Sequence, residues 1–162
     1  MQRPHTKKRC TEQEAYTTLS ALCATCEYCR HDMMKKMDRW EMSQQEKDSV
    51  VQRLMEERFI DEGRFARAFV RDKFRYNKWG RMRIELELKT RGISAAHIQE
   101  GMEEIEEADN LSMLRELIKK KRPGVKGNSE YEIRAKLYRY AMGKGFTADD
   151  IAKVIGGIDD DE

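Results

Sequence analysis

Apolar residues recur every three or four positions along most of the chain, and no segment alternates apolar and polar residues for long. Phe65 and Phe69 illustrate this spacing, as do Ile84 and Leu88. Residues three or four positions apart lie on the same face of an α-helix, so the pattern is typical of helices that bury one face. It predicts an all-α protein with roughly nine helices.

Residues that suit the first position of a helix mark where several of these helices begin. A Ser, Thr, Asp or Asn there can accept a hydrogen bond from a backbone N–H group that the first helical turn leaves unpaired. Asp61 and Asn110 are predicted caps of this kind. Three further pairs have the spacing of a capping box, in which each residue bonds the backbone of the other: Thr11–Glu14, Ser43–Glu46 and Ser129–Glu132.

Two short stretches, "RGISAA" and "KGFTAD", each predict that one helix ends and the next begins. Gly92 and Gly145 suit the left-handed conformation that often follows a helix. Ser94 and Thr147 then cap the following helices. The order glycine, apolar residue, Ser or Thr is therefore a predicted joint between two helices.

The joints recur at a nearly constant spacing. A related stretch, "WEMSQQ", begins at Trp40, and the two joints begin at Arg91 and Lys144, which gives intervals of 51 and 53 residues. Such a period is typical of a tandem repeat whose units share surface. We therefore expect three tandem three-helix repeats that form an elongated, curved array. The expected boundaries are a basic N-terminal tail (1–10), repeats at 11–60, 61–108 and 109–157, and an acidic C-terminal tail (158–162).

The composition agrees with a charged, helical protein. Of the 162 residues, 39% are hydrophobic and 38% charged, and only 2 are proline. No apolar run approaches the roughly 20 residues that span a bilayer. The basic N-terminus also lacks the apolar stretch of a signal peptide. We therefore expect a cytoplasmic protein without a membrane partner.

Charge is segregated along the chain, although the net charge is only +2. Residues 64–91 contain ten basic and three acidic residues, and residues 115–144 contain the same numbers, so each segment carries +7. Between them, residues 100–109 hold six acidic residues and no basic one. Such segregation is typical either of solvated helix faces or of a surface that binds an acidic partner such as nucleic acid.

The stretch "CATCEYC" holds Cys23, Cys26 and Cys29 at the spacing with which iron–sulfur sites begin. A ferredoxin-type motif needs a fourth cysteine, and Met33 stands in its place. On one helix Cys23 and Cys29 would also lie about 9 Å apart along the axis, too far to share a metal ion. We therefore interpret the stretch as the end of one helix and the start of the next.

A metal site would require the helix to break between Cys23 and Cys29, with a further ligand from elsewhere. His5, His31 and Cys10 are the candidates. This alternative stays open beside structural thiols and redox-sensing thiols. Stoichiometric zinc or iron in protein purified without added metal would establish a metal site.

Recognisable catalytic motifs are missing from the sequence. The three histidines are scattered, and His97 is predicted in the first turn of a helix, where a surface position is the simplest interpretation. The chain has no glycine-rich phosphate loop, no His-Glu-x-x-His motif and no Ser or Cys nucleophile beside an evident base. We therefore expect a protein that is not an enzyme and has no cofactor.

The stretch "RFARAFVRDKFRYNKWGRMR" combines aromatic and basic residues. Phe65, Phe69 and Phe74 have helical spacing and are expected in the core. Tyr76 and Trp79 allow two interpretations, as core residues or as exposed groups that stack on a ligand. The basic residues recur at three and four positions, so we expect them to line the opposite face, where they can bind phosphates or carboxylates.

The longer stretch "FIDEGRFARAFVRDKFRYNKWGRMRIELELKTRGISAAHIQEGM" resembles the central signature of the RecX family. That signature has an acidic helix start, an "RFA" segment, a basic helix, a glycine turn, an "I-x-x-x-L" helix and an "RGI" segment. The matching positions are Asp61, Arg64, Phe65, Ala66, Gly80, Ile84, Leu88, Arg91, Gly92 and Ile93. The resemblance extends more weakly over residues 12–157, and Glu41 departs from the usual turn glycine of the first repeat.

This resemblance implies a function that composition alone does not. RecX-like proteins are all-α regulators that bind the filament formed by the RecA recombinase on single-stranded DNA. They restrain the ATPase, strand-exchange and coprotease activities of RecA, and they have no catalytic site or cofactor. The resemblance therefore implies a monomeric regulator of recombination, DNA repair and the SOS response.

We expect the filament to contact the basic faces of the second and third repeats. The positions are chosen from helical spacing and are not assigned by the family. They are Arg64, Arg67, Arg71, Arg75, Lys78 and Arg81 in the second repeat, and Lys119, Lys120, Lys121 and Arg134 in the third.

Two other functions stay open on the sequence. One is a sequence-independent DNA-binding protein that acts on single-stranded or duplex DNA directly, because the Gly-apolar-Ser/Thr joints also resemble DNA-binding helix–turn–helix elements. The other is a helical adaptor for another protein. Co-sedimentation with RecA filaments, naked single-stranded DNA and duplex DNA separates the three.

Overall fold

The structure is a computed structural model that describes residues 6–157. The expected C-terminal tail (158–162), the first five residues of the expected N-terminal tail and the candidate ligand His5 lie outside the described residues. Within the described part, no helix is both long and apolar enough to cross a membrane. Its helices are α1 (Glu12–Cys23), α2 (Arg30–Met37), α3 (Gln44–Glu56), α4 (Glu62–Arg75), α5 (Arg81–Thr90), α6 (Ala95–Met102), α7 (Glu107–Lys121), α8 (Glu130–Lys144) and α9 (Ala148–Gly157), with a 3₁₀ turn at Arg122–Gly124.

The helices pack in groups of three in chain order, which confirms the all-α class and the three-helix repeats. In the first group α3 packs on both α1 and α2, and in the second α4 packs on both α5 and α6. In the third group α7, α8 and α9 all contact one another. Each group encloses its own cluster of buried apolar side chains.

The predicted apolar helix faces form these three cores. Repeats one and two are linked through Cys29, which is fully buried among the core residues of repeat two. Met113 of α7 is packed against the cores of both repeats two and three. The largest fully buried side chains include Leu19, Met33, Met37, Val51 and Leu54 in repeat one, Val70, Ile84 and Leu88 in repeat two, and Leu114, Ile118, Phe146 and Ile151 in repeat three.

The predicted helix joints are confirmed. Gly92 and Gly145 have φ values of 71° and 99°, in the left-handed region. The Thr147 hydroxyl accepts a hydrogen bond of 3.2 Å from the backbone N–H of Asp150. The other caps that accept a hydrogen bond from the backbone N–H three residues later are Thr11, Ser43, Asp61, Ser94 and Ser129.

The prediction that Asn110 caps a helix is wrong. The helix α7 begins at Glu107, so Asn110 lies inside it. Its side chain is 1% exposed, and its Nδ2 group donates a 2.9 Å hydrogen bond to Oδ2 of Asp150 in α9. Asn110 therefore links two helices of the third repeat, because a buried amide needs a polar partner.

A short parallel pairing of two strands was not expected from the sequence. The strands β1 (Lys8–Arg9) and β2 (Trp40–Glu41) pair with Arg9 opposite Glu41. The Arg9 guanidinium also donates two hydrogen bonds, of 2.9 and 2.8 Å, to the carboxylate of Glu46. The expected N-terminal tail is therefore attached to repeat one from Lys8 onward.

Repeats two and three meet where the start of α5 reaches the end of α8. The backbone N–H of Gly80 donates to the carbonyl oxygen of Lys144 at 2.7 Å, and that of Met82 donates to Gly145 at 3.0 Å. A Cβ atom added at Gly80 would lie 2.4 Å from the carbonyl group of Gly145. Glycine at position 80 is therefore required by the close approach of two backbones.

Candidate partner-binding surface

Arg64 lies at the junction of repeats one and two rather than on a free basic face. Its Nε atom is 2.6 Å from Oε1 of Glu27. Its terminal NH2 group donates to the carbonyl oxygens of Arg58 and Phe59 at 3.1 and 3.2 Å. The hydrogen bond to Glu27 raises the pKa of Arg64 above its ordinary value. Arg64 therefore remains charged and holds α4 against the end of repeat one.

Arg67 lies close to Glu100 of α6, and Arg71 lies close to Glu104, just after α6. The nearest atoms of Arg67 and Glu100 are 3.8 Å apart, and those of Arg71 and Glu104 are 3.7 Å apart. The two arginine side chains are 40% and 49% exposed. Exposed ion pairs are typically worth about 0–1 kcal/mol. Both guanidinium groups therefore keep donors for a partner, but Glu100 and Glu104 partly neutralise this face.

Arg81 lies at the junction of repeats two and three. One terminal nitrogen is 3.0 Å from Oε2 of Glu107, and the other donates to the carbonyl oxygen of Ile105 at 3.0 Å. These contacts tie the start of α5 to the start of α7. Like Arg64, Arg81 uses its guanidinium group within the chain.

Arg75 and Lys78 are the least paired members of the predicted set in repeat two. Arg75 is the exposed last residue of α4. Lys78 follows in the connecting loop with a φ of 57°, which residues with a side chain adopt rarely. Within residues 6–157, neither has a carboxylate oxygen within 4.0 Å. Both cations are therefore available to a partner.

The three predicted lysines of repeat three end α7. Lys120 pairs with Glu116 of the same helix at 3.3 Å. The Nζ atom of Lys121 lies 4.9 Å from the centre of the Tyr140 ring. Lys119 is exposed and forms no ion pair in the described part of the chain. The lysine run thus presents its charge at one end of α7.

Arg134 lies on α8, apart from the lysine run in sequence. Its Nε atom is 3.9 Å from Oε1 of Glu130. It lines a groove between α8 and α9 together with Tyr131 and Tyr138. Its neighbourhood therefore combines aromatic rings with a carboxylate.

Tyr76 and Trp79 differ in exposure, and Trp79 is the one that belongs with the core. Tyr76 is 78% exposed, whereas Trp79 is half-buried and packed against the core of repeat two. Two cations lie on the Trp79 ring, with the guanidinium carbon of Arg83 at 4.1 Å and Nζ of Lys73 at 5.1 Å from its centre. The predicted set omitted Lys73 and Arg83. The sequence does contain a signal for these two cations, because no acidic residue occurs from position 73 to position 84.

The cysteines occupy the predicted joint between α1 and α2. Cys23 ends α1, Cys26 lies in the following turn, and Cys29 precedes α2 with its N–H donating to Oδ2 of Asp32 at 3.2 Å. Burial raises the pKa of Cys23, and it raises that of Cys29 to about 12. These two thiols are therefore poor thiolate ligands. Among residues 6–157, no group of three or more His, Cys, Asp or Glu side chains is placed to hold a metal ion.

Comparison with known proteins identifies two of the three repeats. Residues 61–102 match the family description "RecX, second three-helix domain", and residues 107–155 match "RecX, third three-helix domain". These matches include all ten of the predicted basic positions.

Whole-chain comparisons agree. The regulatory protein RecX of Halorhodospira halophila is 30% identical over 141 residues, which cover 87% of this chain and 86% of that protein. The regulatory protein RecX of Chlorobium phaeobacteroides is 27% identical over 147 residues, which cover 91% and 95%. The crystal structure of RecX from Lactobacillus salivarius has the same fold, with a TM-score of 0.79 at 17% identity over 91% of this chain and 96% of that chain. The chain belongs to the RecX family of regulatory proteins.

Proposed function

We propose that this chain binds the filament that RecA forms on single-stranded DNA and inhibits the ATPase, recombinase and coprotease activities of RecA. The observation that carries the proposal is the RecX family match across the second and third repeats, where both basic segments lie. In this role the chain is a cytoplasmic monomer without a catalytic site, and it acts in DNA repair, recombination and the SOS response.

The ten basic residues contribute to this binding in two ways. Arg64 and Arg81 use their guanidinium groups at the two junctions, so they position the repeats relative to one another. The remaining eight present charge to carboxylates of the filament or to phosphates, and they are Arg67, Arg71, Arg75, Lys78, Lys119, Lys120, Lys121 and Arg134. Charge-assisted hydrogen bonds of this kind are the stronger ones in proteins.

Inhibition requires more than binding. A ligand shifts a conformational equilibrium only by the difference between its affinities for the two states. The chain must therefore bind the RecA arrangement that does not turn over ATP more tightly than the one that does. A tandem array supports this role, because basic groups on two separate repeats can contact two places on a filament at once.

Charge reversal at the unpaired cations tests the proposal. The variant Arg75→Glu, Lys78→Glu, Lys119→Glu breaks no ion pair of the described structure, so its thermal unfolding should remain cooperative. We expect it to lose inhibition of RecA ATPase on single-stranded DNA. The matched control Lys35→Glu, Arg39→Glu, Lys126→Glu makes the same charge change at exposed positions outside the predicted set. It should inhibit like the unmodified chain.

Unchanged inhibition by the first variant would contradict the assigned surface, and absence of inhibition by the unmodified chain would contradict the function itself. A protein that acts on DNA directly would instead bind naked duplex with a log–log salt slope of about −0.9 per phosphate contact. An adaptor for an unrelated protein would bind neither the filament nor DNA.

A further inference from the structure

We propose that the loop between α4 and α5 (residues 76–80, the α4–α5 loop) is a binding site for single-stranded nucleic acid. One unpaired base stacks on Tyr76, while the surrounding cations bind the phosphates on either side. The inference adds a binding site for nucleic acid to the proposed function. It rests on that function because the single strand concerned is the one that RecA coats. The site itself is defined by contacts within this chain.

Five cations surround the α4–α5 loop. Arg75 and Lys78 belong to it or adjoin it in sequence. The Lys144 ammonium reaches it from α8, where Nζ donates to the carbonyl oxygen of Asn77 at 3.3 Å. The other two, Lys73 and Arg83, are held there by the Trp79 ring.

None of these five cations has a carboxylate oxygen within 4.0 Å in the part of the chain that the structure describes. Elsewhere in repeat two the basic residues are paired, as Arg67 is with Glu100 and Arg71 with Glu104. The loop is therefore a local concentration of unneutralised positive charge. Polyanions are the ligands that such a surface attracts.

An exposed aromatic ring in the same loop favours nucleic acid over an acidic protein surface. Tyr76 is 78% exposed, although the core of repeat two lies directly beside it through Phe74 and Trp79. Single-strand binding sites combine cations that follow the backbone with aromatic rings on which bases stack. A carboxylate patch uses the cations but supplies no base to stack on the ring.

Backbone hydrogen bonds tie the loop to α4 and α8, so the positions of its backbone atoms are defined by both helices. The backbone N–H of Trp79 donates to the carbonyl oxygen of Lys73 at 3.0 Å, and that of Gly80 donates to Lys144 at 2.7 Å. Lys78 is kept at a φ of 57°, a conformation that a residue with a side chain rarely keeps without support from its surroundings. A preorganised site loses less entropy when it binds.

Tyr131 provides an internal comparison. It is 84% exposed on α8, slightly more than Tyr76. Arg122 and Arg134 both lie within 4.0 Å of Glu130, the residue before Tyr131, and Arg139 lines the same groove as Tyr131. Glu130 and Glu132 flank Tyr131 in sequence, so this tyrosine should contribute less than Tyr76 to binding a polyanion.

The test is a titration of fluorescein-labelled oligothymidylate of 15 nucleotides with the full chain, without RecA, followed by fluorescence anisotropy. Tyr76→Ala should weaken binding by roughly tenfold, within the range known for loss of one stacked base. Lys78→Gln should reduce the slope of log K against log salt by about 0.7, as expected for one phosphate contact on a single strand. In a Trp40→Phe background, Trp79 is the only tryptophan, and its fluorescence should change on binding.

Two control variants accompany the titration, and thermal unfolding verifies that all variants are folded. Tyr131→Ala and Lys89→Gln, the latter at a lysine paired with Glu85, should bind the oligonucleotide like the unmodified chain. Equal losses in Tyr76→Ala and Tyr131→Ala would overturn the assignment of the loop. So would absence of binding at low salt, or full oligonucleotide binding by Tyr76→Ala and Lys78→Gln.

RecA filament binding is then measured separately with the same variants. Variants that bind the oligonucleotide normally but lose filament binding would show that the loop contacts protein, which also overturns the inference. Failure of the unmodified chain to inhibit RecA ATPase would contradict the proposed function, and the oligonucleotide titration would still decide the site independently.

Discussion

The backbone N–H of Gly80 donates a 2.7 Å hydrogen bond to the carbonyl oxygen of Lys144, so the start of α5 is joined to the end of α8. Helix ends leave N–H and carbonyl groups without partners inside their own helix. Here a free N–H at one helix end is paired with a free carbonyl at another. Repeats two and three are therefore connected by backbone atoms, which requires that no side chain separates them.

Gly145→Ala is expected to destabilise the protein more than Gly92→Ala, although both glycines have a positive φ. Both substitutions place a side chain in the left-handed conformation, which costs about 1–2 kcal/mol. A new Cβ at Gly145 would also lie 2.3 Å from Cβ of Arg83, whereas nothing lies within 4 Å of one at Gly92. The overlap should add about 1–3 kcal/mol. Urea unfolding measures both variants, and equal losses would contradict the close contact.

Asn110→Ala is expected to lower the free energy of unfolding by about 1–3 kcal/mol, because it leaves a buried carboxylate oxygen of Asp150 without its donor. Ser112→Ala serves as the control, since Ser112 is exposed on the same helix. It should change stability by no more than about 0.5 kcal/mol. Denaturant titration of both variants provides the comparison. A result in which both substitutions are neutral would rule out a structural role for the Asn110–Asp150 hydrogen bond.

Arg64→Gln and Arg67→Gln should separate a junction residue from a surface residue. Arg64 contacts Glu27 and two backbone carbonyl groups, so its loss should cost about 1–2 kcal/mol after allowance for its partial exposure. Arg67 forms one exposed contact of 3.8 Å, and its loss should leave stability nearly unchanged. Thermal unfolding of the two variants is the measurement. A larger loss in Arg67→Gln would refute the division of roles.

The contact between Arg9 and Glu46 predicts a pH-dependent contribution to stability. The hydrogen bonds from Arg9, followed by that from the backbone of Ser43, lower the pKa of Glu46 from 4.5 to about 2. A carboxylate whose pKa is lowered by folding stabilises the folded state above its unfolded pKa, and this contribution is lost as the pH falls through the folded pKa. The difference in Tm between the unmodified chain and Arg9→Gln should therefore be constant above about pH 5 and shrink toward pH 2.

Two observations would count against this account of Arg9. One is a difference in Tm that persists undiminished at pH 2, and the other is no difference at neutral pH. The variant Glu46→Gln provides the control, because it removes the titrating group. In that background Arg9→Gln should change Tm by an amount that does not depend on pH in the acidic range.

Local features of the fold were predictable from the sequence because they depend on neighbouring residues. Ser94 caps α6 and Gly92 takes the left-handed conformation for reasons contained in a few residues of chain. Asn110 was misassigned because its partner, Asp150, lies 40 residues away. The pairing of β1 with β2 was missed for the same reason, since two residues per strand leave no periodic pattern to detect.

The candidate surface shows the same limit. Helical spacing correctly indicates that Arg64, Arg67 and Arg71 lie on one helix, but it does not indicate what faces them. The carboxylates that pair with them belong to Glu27, before α2, and to Glu100 and Glu104, in α6 and just after it. Charge counted along the chain therefore overstates the free charge of repeat two. Only contacts between helices distinguish the unpaired cations near Trp79 from the paired ones.

Co-sedimentation of the full chain with RecA filaments on single-stranded DNA tests the central claim most directly. Naked single-stranded DNA and naked duplex DNA are sedimented in parallel at the same salt concentration, because electrostatic binding to DNA depends strongly on salt. We predict that the amount of chain that sediments with the filament rises to a constant ratio of chain to RecA. At the same concentrations of chain, little of it should sediment with naked duplex DNA. Equal or greater recovery with naked duplex, or no recovery with the filament, would contradict the claim.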